Sequence, residues 1–257
     1  MRRKTRRRLS AFLAALLVLC MLPSAALAKE WHIENGNITI NPGANGQQVQ
    51  QGSSIEDDSN PVITSSNPSV PSTNTINVEG TGDATFTIKD LNIQAANNES
   101  AIVIGEGVDA EIKVEGENTL SAAGDAAAIQ VAKGELTVTN NSASAIGSSS
   151  NDTLNVSAEA GAAIGSSAGA AFDGTVIITG DVAVEAQSQT GAAIGSGKGG
   201  DFNGSVSVEN RAEMNATGQT GAAIGSGQSG DFTATGVVNI AEDAKVCLLY
   251  TSPSPRD

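Results

Sequence analysis

Residues 161–166 read Gly-Ala-Ala-Ile-Gly-Ser, and the same hexapeptide recurs at 191–196 and 221–226, with a spacing of 30 residues each time. Three identical copies at one spacing indicate an internal structural repeat. Weaker copies upstream have shorter, irregular spacings of 27, 17 and 18 residues, at Ser100-Ala101-Ile102, Ala127-Ala128-Ile129 and Ser144-Ala145-Ile146-Gly147-Ser148. The hexapeptide therefore marks one unit of a tandem array.

Between the hexapeptides, apolar residues alternate with polar ones. The apolar positions match between units, and those of the third unit are shifted by two residues. They are Val176, Ile178, Val182 and Val184 in the first unit, Val206, Val208, Ala212 and Met214 in the second, and Val238, Ile240, Ala244 and Val246 in the third. A period of two predicts strands with one buried face. Such short strands cannot bury a core alone, but units stacked about 4.8 Å apart create one.

We therefore predict an all-β protein, a single-stranded, right-handed parallel β-helix (β-solenoid) that is truncated at its C-terminal end. The polar residues 29–75 would form an N-terminal cap or first coil, and residues 76–246 would form six or seven coils. The prediction depends on Ile164, Ile194 and Ile224 forming one column inside the solenoid.

The two ends of the chain differ in composition from the middle. Residues 1–28 carry six basic residues before an apolar run at 11–22 and a small-residue cleavage motif at 26–28, a pattern typical of a signal peptide. The apolar run is shorter than the ~20 residues that span a bilayer. We expect a secreted or cell-surface bacterial protein with no transmembrane segment in the mature chain. Residues 247–257 resemble a translated sequencing adapter, so we expect a C-terminal anchor or further domains to be missing.

The charge of the middle segment excludes several partners. The chain has 14 basic and 28 acidic residues, of which six basic residues lie in 1–28 and one of each sign in 247–257. The segment between carries seven basic and 27 acidic residues, a formal charge near −20. Nucleic acids and anionic membranes require clustered Lys and Arg, so we exclude both as partners. The segment contains no Cys, and imidazole catalysis would depend on His32 alone.

Two catalytic motifs match the sequence only by letter. Residues 165–169 fit G-x-S-x-G around Ser167, but no His follows residue 32 and a nucleophile elbow needs a helix after the serine. Gly195, Gly197 and Gly200 fit G-x-G-x-x-G without the βαβ unit of a dinucleotide site. We interpret these residues as turns of the repeat.

The loop after the hexapeptide contains Asp201-Phe202 and Asp231-Phe232, 30 residues apart, with Phe172 at the same place one unit earlier. Stacked carboxylates repel each other unless they are solvated or neutralised. One hypothesis is therefore a Ca²⁺ ion bound by Asp201, Asp231 and loop carbonyls, and the alternative is two solvated acids. The phenylalanines would stack inside the core, which we favour, or form an exposed strip that contacts sugar rings.

Repeated polar residues provide further candidates for ligand binding, together with Phe202 and Phe232. We expect exposed ladders of donors and acceptors suited to glycan hydroxyls, and the alternative is the ordinary solvated surface of a solenoid. These residues are Ser166, Ser196, Ser226, Gln189 and Gln219.

The hexapeptides, the Asn-Thr-Leu-Ser-Ala-Ala turn at 118–123 and the start of the mature chain around Trp31 resemble a known family. They are similar to β-helical carbohydrate-binding and adhesin repeat regions in surface proteins of anaerobic Gram-positive bacteria. The resemblance covers most of residues 76–246 and implies carbohydrate binding, with calcium and acidic sugars among the ligands. Related proteins usually carry Gly-Ala-Gly-Ile-Gly-Gly-Gly where this chain has Ala and Ser, so no residue role transfers. The negative charge of the chain disfavours an acidic glycan without bound cations.

Three functions follow from these patterns. The leading hypothesis is an exported, non-enzymatic β-solenoid that binds carbohydrate or mediates surface adhesion. The second is the structural stalk of a larger surface protein. The third is a polysaccharide lyase or hydrolase, which would need paired carboxylates or a Ca²⁺ site beside a basic residue. Arg211 is the only arginine between residues 29 and 246, and we expect it on the surface.

Overall fold

The computed structural model describes residues 29–43, 46–131, 133–141 and 152–250. Three parts of the sequence predictions lie outside the described residues: the signal peptide at 1–28, the weak repeat copy at 144–148, and residues 251–257 of the predicted adapter segment. Within the described ranges the chain is almost entirely β, with one 3-10 helix at Ile33–Asn35. No helix in these ranges is long and apolar enough to cross a membrane.

In chain order, the strands of the first half are β1 (Glu30–His32), β2 (Ile38–Gly43), β3 (Gly46–Gln51), β4 (Ser54–Asp57), β5 (Val62–Thr64), β6 (Ile76–Val78), β7 (Gly82–Lys89), β8 (Asn92–Gln94), β9 (Ile102–Ile104), β10 (Val108–Glu115), β11 (Glu117–Ser121) and β12 (Ile129–Val131). Those of the second half are β13 (Glu135–Asn140), β14 (Thr153–Ala158), β15 (Ile164–Gly165), β16 (Thr175–Ile178), β17 (Ala183–Ser188), β18 (Ile194–Gly195), β19 (Ser205–Val208), β20 (Glu213–Gly218), β21 (Ile224–Gly225), β22 (Val237–Ile240) and β23 (Lys245–Tyr250).

The strands stack into three sheets. Sheet A has the order β1-β5-β7-β10-β13-β16-β19-β22, sheet B has the order β21-β18-β15-β12-β9-β6-β2-β3-β4, and sheet C has the order β23-β20-β17-β14-β11-β8. Neighbouring strands from successive coils pair in parallel, whereas β2, β3 and β4 pair antiparallel. A typical coil therefore passes through sheets B, A and C before it returns to sheet B one level along. This is the predicted parallel β-solenoid.

One column of isoleucines runs through the whole solenoid. Strand pairing in sheet B joins one isoleucine from each of seven coils, namely Ile38, Ile76, Ile102, Ile129, Ile164, Ile194 and Ile224. All except Ile224 are fully buried, and Ile224 packs against the same core. Burial of each such side chain contributes about 1.5–3 kcal/mol. The predicted column is confirmed, with about seven coils.

The register of the sheets follows the apolar alternation. Val176 pairs with Val206, and Val206 pairs with Val238, so the two-residue slip in the sequence does not interrupt the column. The extra residues form a turn, in which the Gly236 N–H donates to the Thr233 carbonyl at 3.1 Å. Upstream, Ile129 pairs directly with Ile164, so these two isoleucines lie on neighbouring levels of the column.

The N-terminal end of the solenoid is closed by the cap. The Trp31 side chain is 3% exposed, and its Nε1 donates to Asp58 Oδ2 at 2.9 Å. Lys29 Nζ lies 3.8 Å from the centroid of the Trp31 ring and 2.6 Å from Glu56 Oε1. Because β2 also pairs with β6, residues 29–75 form the first coil as well as the covering of the core.

The opposite end of the described chain exposes side chains of the last strands. Strand β23 includes residues 247–250 of the predicted adapter segment and pairs in parallel with β20. The exposed apolar residues here are Phe232, Val237, Val238, Ile240, Leu248, Leu249 and Tyr250.

Candidate functional site

The serines of the hexapeptide lie at the corner between sheets B and A, which we call the packed corner (residues 165–174 and 195–204). Ser166 and Ser196 are fully buried, so the prediction that they form an exposed ladder is wrong. The Ser196 hydroxyl donates to the Gly200 carbonyl at 2.6 Å and accepts from the Gly227 N–H at 3.2 Å. Each hydroxyl satisfies buried backbone groups of its own coil and of the next coil.

Ser166 makes the equivalent bonds one coil earlier. Its hydroxyl donates to the Ala170 carbonyl at 2.8 Å and accepts from the Gly197 N–H at 3.3 Å. Ser226, in the last hexapeptide, is partly buried. These contacts give the serines a structural role and leave those of Ser166 and Ser196 inaccessible to a glycan.

The phenylalanines fill the same corner. The ring centroids of Phe172 and Phe202 lie 5.5 Å apart and those of Phe202 and Phe232 lie 4.9 Å apart, in stacked orientations. Phe172 and Phe202 are fully buried, which confirms the favoured interpretation and excludes Phe202 from a surface strip for sugars. Phe232, at the end of the stack, is 51% exposed.

The two aspartates proposed as calcium ligands are both exposed at this corner. Asp201 Oδ1 accepts a hydrogen bond of 3.0 Å from the Asp231 backbone N–H, so one carboxylate oxygen already has a partner. Ca²⁺ takes six to eight oxygen ligands. Among the described residues no group of three or more Asp, Glu, His or Cys side chains could hold a metal ion. The calcium site at Asp201 and Asp231 therefore stays a sequence prediction.

A polar groove follows the end of sheet C, on the side where each coil turns towards sheet B. It has a volume of about 270 Å³. Two columns of polar side chains line it, with small residues between them. The first column is Gln94, Ser121, Ser157 and Gln187, the second is Glu159, Gln189 and Gln219, and the small residues are Ala122, Ala123, Ala158 and Ser188.

The groove follows from the register of sheet C. In β17, the alternation buries Ala186 and Ser188 and turns Gln187 outwards, and Gln189 continues this direction past the strand end. Pairing of β17 with β14 places Gln187 one level from Ser157. Because every coil turns at the same position around the solenoid axis, outward side chains of successive coils form columns parallel to that axis.

The amide groups in the groove differ from those in the cap. In the cap, Gln47 exchanges two hydrogen bonds with the Thr85 backbone, and Gln51 Nε2 donates to the carbonyls of His32 and Gly36. Within the described part of the chain, the groove amides have no hydrogen-bond partner, and their side chains are exposed. These residues are Gln94, Gln187, Gln189 and Gln219.

The groove is close to neutral. Glu159 is the only ionisable residue of the lining, and its Oε2 accepts a hydrogen bond from the Gly124 N–H at 2.9 Å. The outer face of sheet A is different, because pairing places Asp83, Asp109 and Glu135 at one position of three successive coils. The outer face of sheet A therefore carries a column of negative charge.

Arg211 and Lys89 are engaged in contacts between coils. Arg211 Nε and an Arg211 terminal nitrogen donate to the two carboxylate oxygens of Asp181 at 2.8 and 2.6 Å, and this contact raises the pKa of Arg211. Lys89 Nζ lies 2.6 Å from Glu115 Oε1. The hydrogen bond from Lys89 lowers the pKa of Glu115, against the opposing effect of partial burial. Arg211 is on the surface, as the sequence predicts.

The single histidine lies in the cap. His32 Nδ1 is 3.1 Å from Ser66 Oγ, and Glu34 Oε1 accepts from the Ser66 N–H at 2.9 Å. Burial raises the pKa of Glu34, but hydrogen bonds from Ser66 and Asn67 outweigh it and lower the pKa overall.

Ser167, the serine of the G-x-S-x-G match, is not near a histidine in the sequence. Its hydroxyl donates to Gln130 Oε1 at 3.2 Å. Ser167 is a corner residue with a structural partner.

No protein-family model matches the chain, and neither a curated protein nor a solved structure matches it. The functional proposal therefore depends on the site alone. Of the seven residues in the two polar columns, sequence analysis identifies Gln189 and Gln219 and misses five. The missed residues could have been found by aligning the coils on the isoleucine column and counting the step from Ile129 to Ile164 as one coil. That alignment places them beside the two glutamines. The missed residues are Gln94, Ser121, Ser157, Glu159 and Gln187.

Proposed function

We propose that this chain is an exported surface protein that binds glycans through the groove at the end of sheet C, without catalysis. The observation that carries the proposal is a set of four amides in one concave surface that have no partner among the described residues, at Gln94, Gln187, Gln189 and Gln219. An amide offers two donors and an acceptor, which complement sugar hydroxyls. A concave surface on which a few polar groups converge is the default hypothesis for a binding site.

The aromatic residues support a particular mode of binding. Because Phe172 and Phe202 are buried, the groove contains no aromatic platform, and recognition would depend on hydrogen bonds and on the small apolar floor. A single hydrogen bond contributes about 0.5–1.5 kcal/mol, so each amide would change affinity from about twofold to about tenfold. The proposal therefore implies weak individual contacts that add along the groove.

The test is a glycan array with the full chain and two variants. We expect the Gln187→Ala, Gln189→Ala double variant to lose most of the binding, because it removes two neighbouring amides without disturbing a buried contact. Gln228→Ala is the matched control, since Gln228 is exposed but lies outside the groove lining. Equal binding by the double variant and the wild type would reject the groove as the site.

The stalk hypothesis has one observation in its favour, the unbroken isoleucine column through seven coils. It predicts no binding on the array and rod-like scattering in solution. The hypothesis of a polysaccharide-cleaving enzyme predicts release of unsaturated or reducing sugars, which can be measured with the same glycans as substrates.

A further inference from the structure

Building on the proposed function, we infer that the groove selects an uncharged, linear glycan that lies parallel to the solenoid axis and spans several coils. The inference concerns the class and the orientation of the ligand. It depends on the two polar columns, on the charge of the lining and on the shape of the groove floor.

The columns determine the orientation. Gln94, Ser121, Ser157 and Gln187 are in register on successive coils, and Gln219 lies one level beyond Gln189. From Gln94 to Gln219 there are four steps between coils, or ~19 Å at about 4.8 Å per step. A ligand across the groove would meet the side chains of one level only. A ligand along the groove meets a donor or acceptor at every level.

The charge determines the class of glycan. The lining contains no Lys or Arg, so a uronate or sulfate group would enter the groove without a cation to neutralise it. Glu159, which belongs to the lining, would add repulsion. Hydroxyl groups, in contrast, both donate to and accept from amides. The lining therefore favours neutral sugars over acidic ones.

The floor of the groove accommodates a sugar ring. Ala122, Ala123 and Ala158 lie beneath the polar columns, and their small side chains leave the volume of about 270 Å³. An apolar floor with polar walls matches a pyranose, whose C–H faces are apolar and whose edge carries hydroxyls.

The first experiment is calorimetric titration of the full chain with two classes of oligosaccharide. The neutral probes are cello-, xylo- and manno-oligosaccharides from the disaccharide to the hexasaccharide, and the acidic probes are oligogalacturonides of the same lengths. We expect at least one neutral series to bind with an affinity that rises at least about tenfold from disaccharide to hexasaccharide. The oligogalacturonides should bind at least about tenfold more weakly than neutral chains of equal length.

The second experiment separates the ends of the groove from its centre. Gln94→Ala and Gln219→Ala should each weaken the hexasaccharide several-fold and change disaccharide binding much less, because a short chain does not need both ends. Gln187→Ala should weaken the binding of both the disaccharide and the hexasaccharide, and Gln228→Ala should weaken the binding of neither. Thermal unfolding of each variant shows that the solenoid is intact.

The outcomes distinguish this inference from the proposed function. Binding of neutral sugars that does not depend on length, or equal effects of Gln94→Ala on both lengths, would overturn the lengthwise orientation. Oligogalacturonides that bind as well as the neutral series, or an array on which only charged glycans bind, would overturn the selection of neutral sugars. In each of these cases glycan binding itself survives. An array with no glycan bound overturns both.

Discussion

In the last coils the packed corner and the groove share the spacing of 30 residues, yet the polar residues of the two regions have opposite environments. At the packed corner, the Ser196 hydroxyl is buried and bonded to two backbone groups. In the groove, the amides of Gln189 and Gln219 are exposed and have no partner in the described chain. The difference shows that repetition alone does not distinguish a structural ladder from a ladder available to a ligand.

The largest effect on stability is expected within the packed corner. Phe202→Ala should lower the free energy of unfolding by about 3–5 kcal/mol, because it removes the central ring of the stack and leaves a cavity. Phe232→Ala should cost about 2 kcal/mol or less, since that ring is half exposed already. Urea unfolding followed by circular dichroism measures both values. Equal losses would show that the corner is not packed as described.

A somewhat smaller effect is expected from the backbone of the same corner. Gly195 has φ +135°, and a Cβ there would overlap the Gly225 carbonyl and contact the Phe202 ring. Gly195→Ala should therefore destabilise the chain by about 3 kcal/mol. Gly36→Ala is the control, because its φ of +130° carries a similar penalty for a side chain but no atom lies within 4 Å of the added Cβ. It should cost about 1 kcal/mol. Identical unfolding midpoints for the two variants would refute close stacking of the coils.

The direct comparison between the two regions uses one substitution in each. Ser196→Ala should cost about 1–3 kcal/mol, because it leaves the Gly200 carbonyl and the Gly227 N–H without a partner in the interior. Gln189→Ala should change stability by less than about 0.5 kcal/mol, because it breaks no bond in the described chain. A comparable loss in Gln189→Ala would mean that the groove amide has a structural role, and the distinction would fail.

The smallest effect is expected for an exposed contact between coils. Glu115→Gln removes the ion pair with Lys89 and should cost less than about 1 kcal/mol near pH 7. The Lys89 hydrogen bond lowers the pKa of Glu115, so the stabilisation is present above the unfolded pKa of ~4.3 and is lost as the pH falls through the lower folded value. Variant and wild type should therefore converge at about pH 2. A difference that grows in acid would assign the stability of this side chain to another contact.

Sequence analysis predicts the strands, their buried faces and the parallel solenoid. It succeeds because a period of two fixes which side of a strand faces the core, and identical units at a constant spacing bring equivalent positions into register. It places Val206 between Val176 and Val238 despite the two-residue slip, and the structure agrees. The same argument does not reveal that the step from Ile129 to Ile164 is a single coil, because the weak copy at 144–148 resembles a repeat.

The candidate site is predicted only in part. Gln189 and Gln219 are found because they repeat, whereas the spacing is 27 residues from Gln94 to Ser121 and 36 from Ser121 to Ser157, so these residues show no constant period. Ser166 and Ser196 repeat just as clearly and are buried. The error arises at the corners, where the period of two no longer defines which way a side chain points.

By itself, the sequence determined the secondary structure, the stacking of the units and the isoleucine column, because all three depend on the spacing of apolar residues along the chain. Only the tertiary structure decided which polar ladder is buried and which is exposed. At a corner, the direction of a side chain depends on backbone dihedral angles and on the unsatisfied backbone groups that the next coil presents. Those groups capture the hydroxyls of Ser166 and Ser196, and none reaches the amides of Gln187, Gln189 and Gln219 within the described residues.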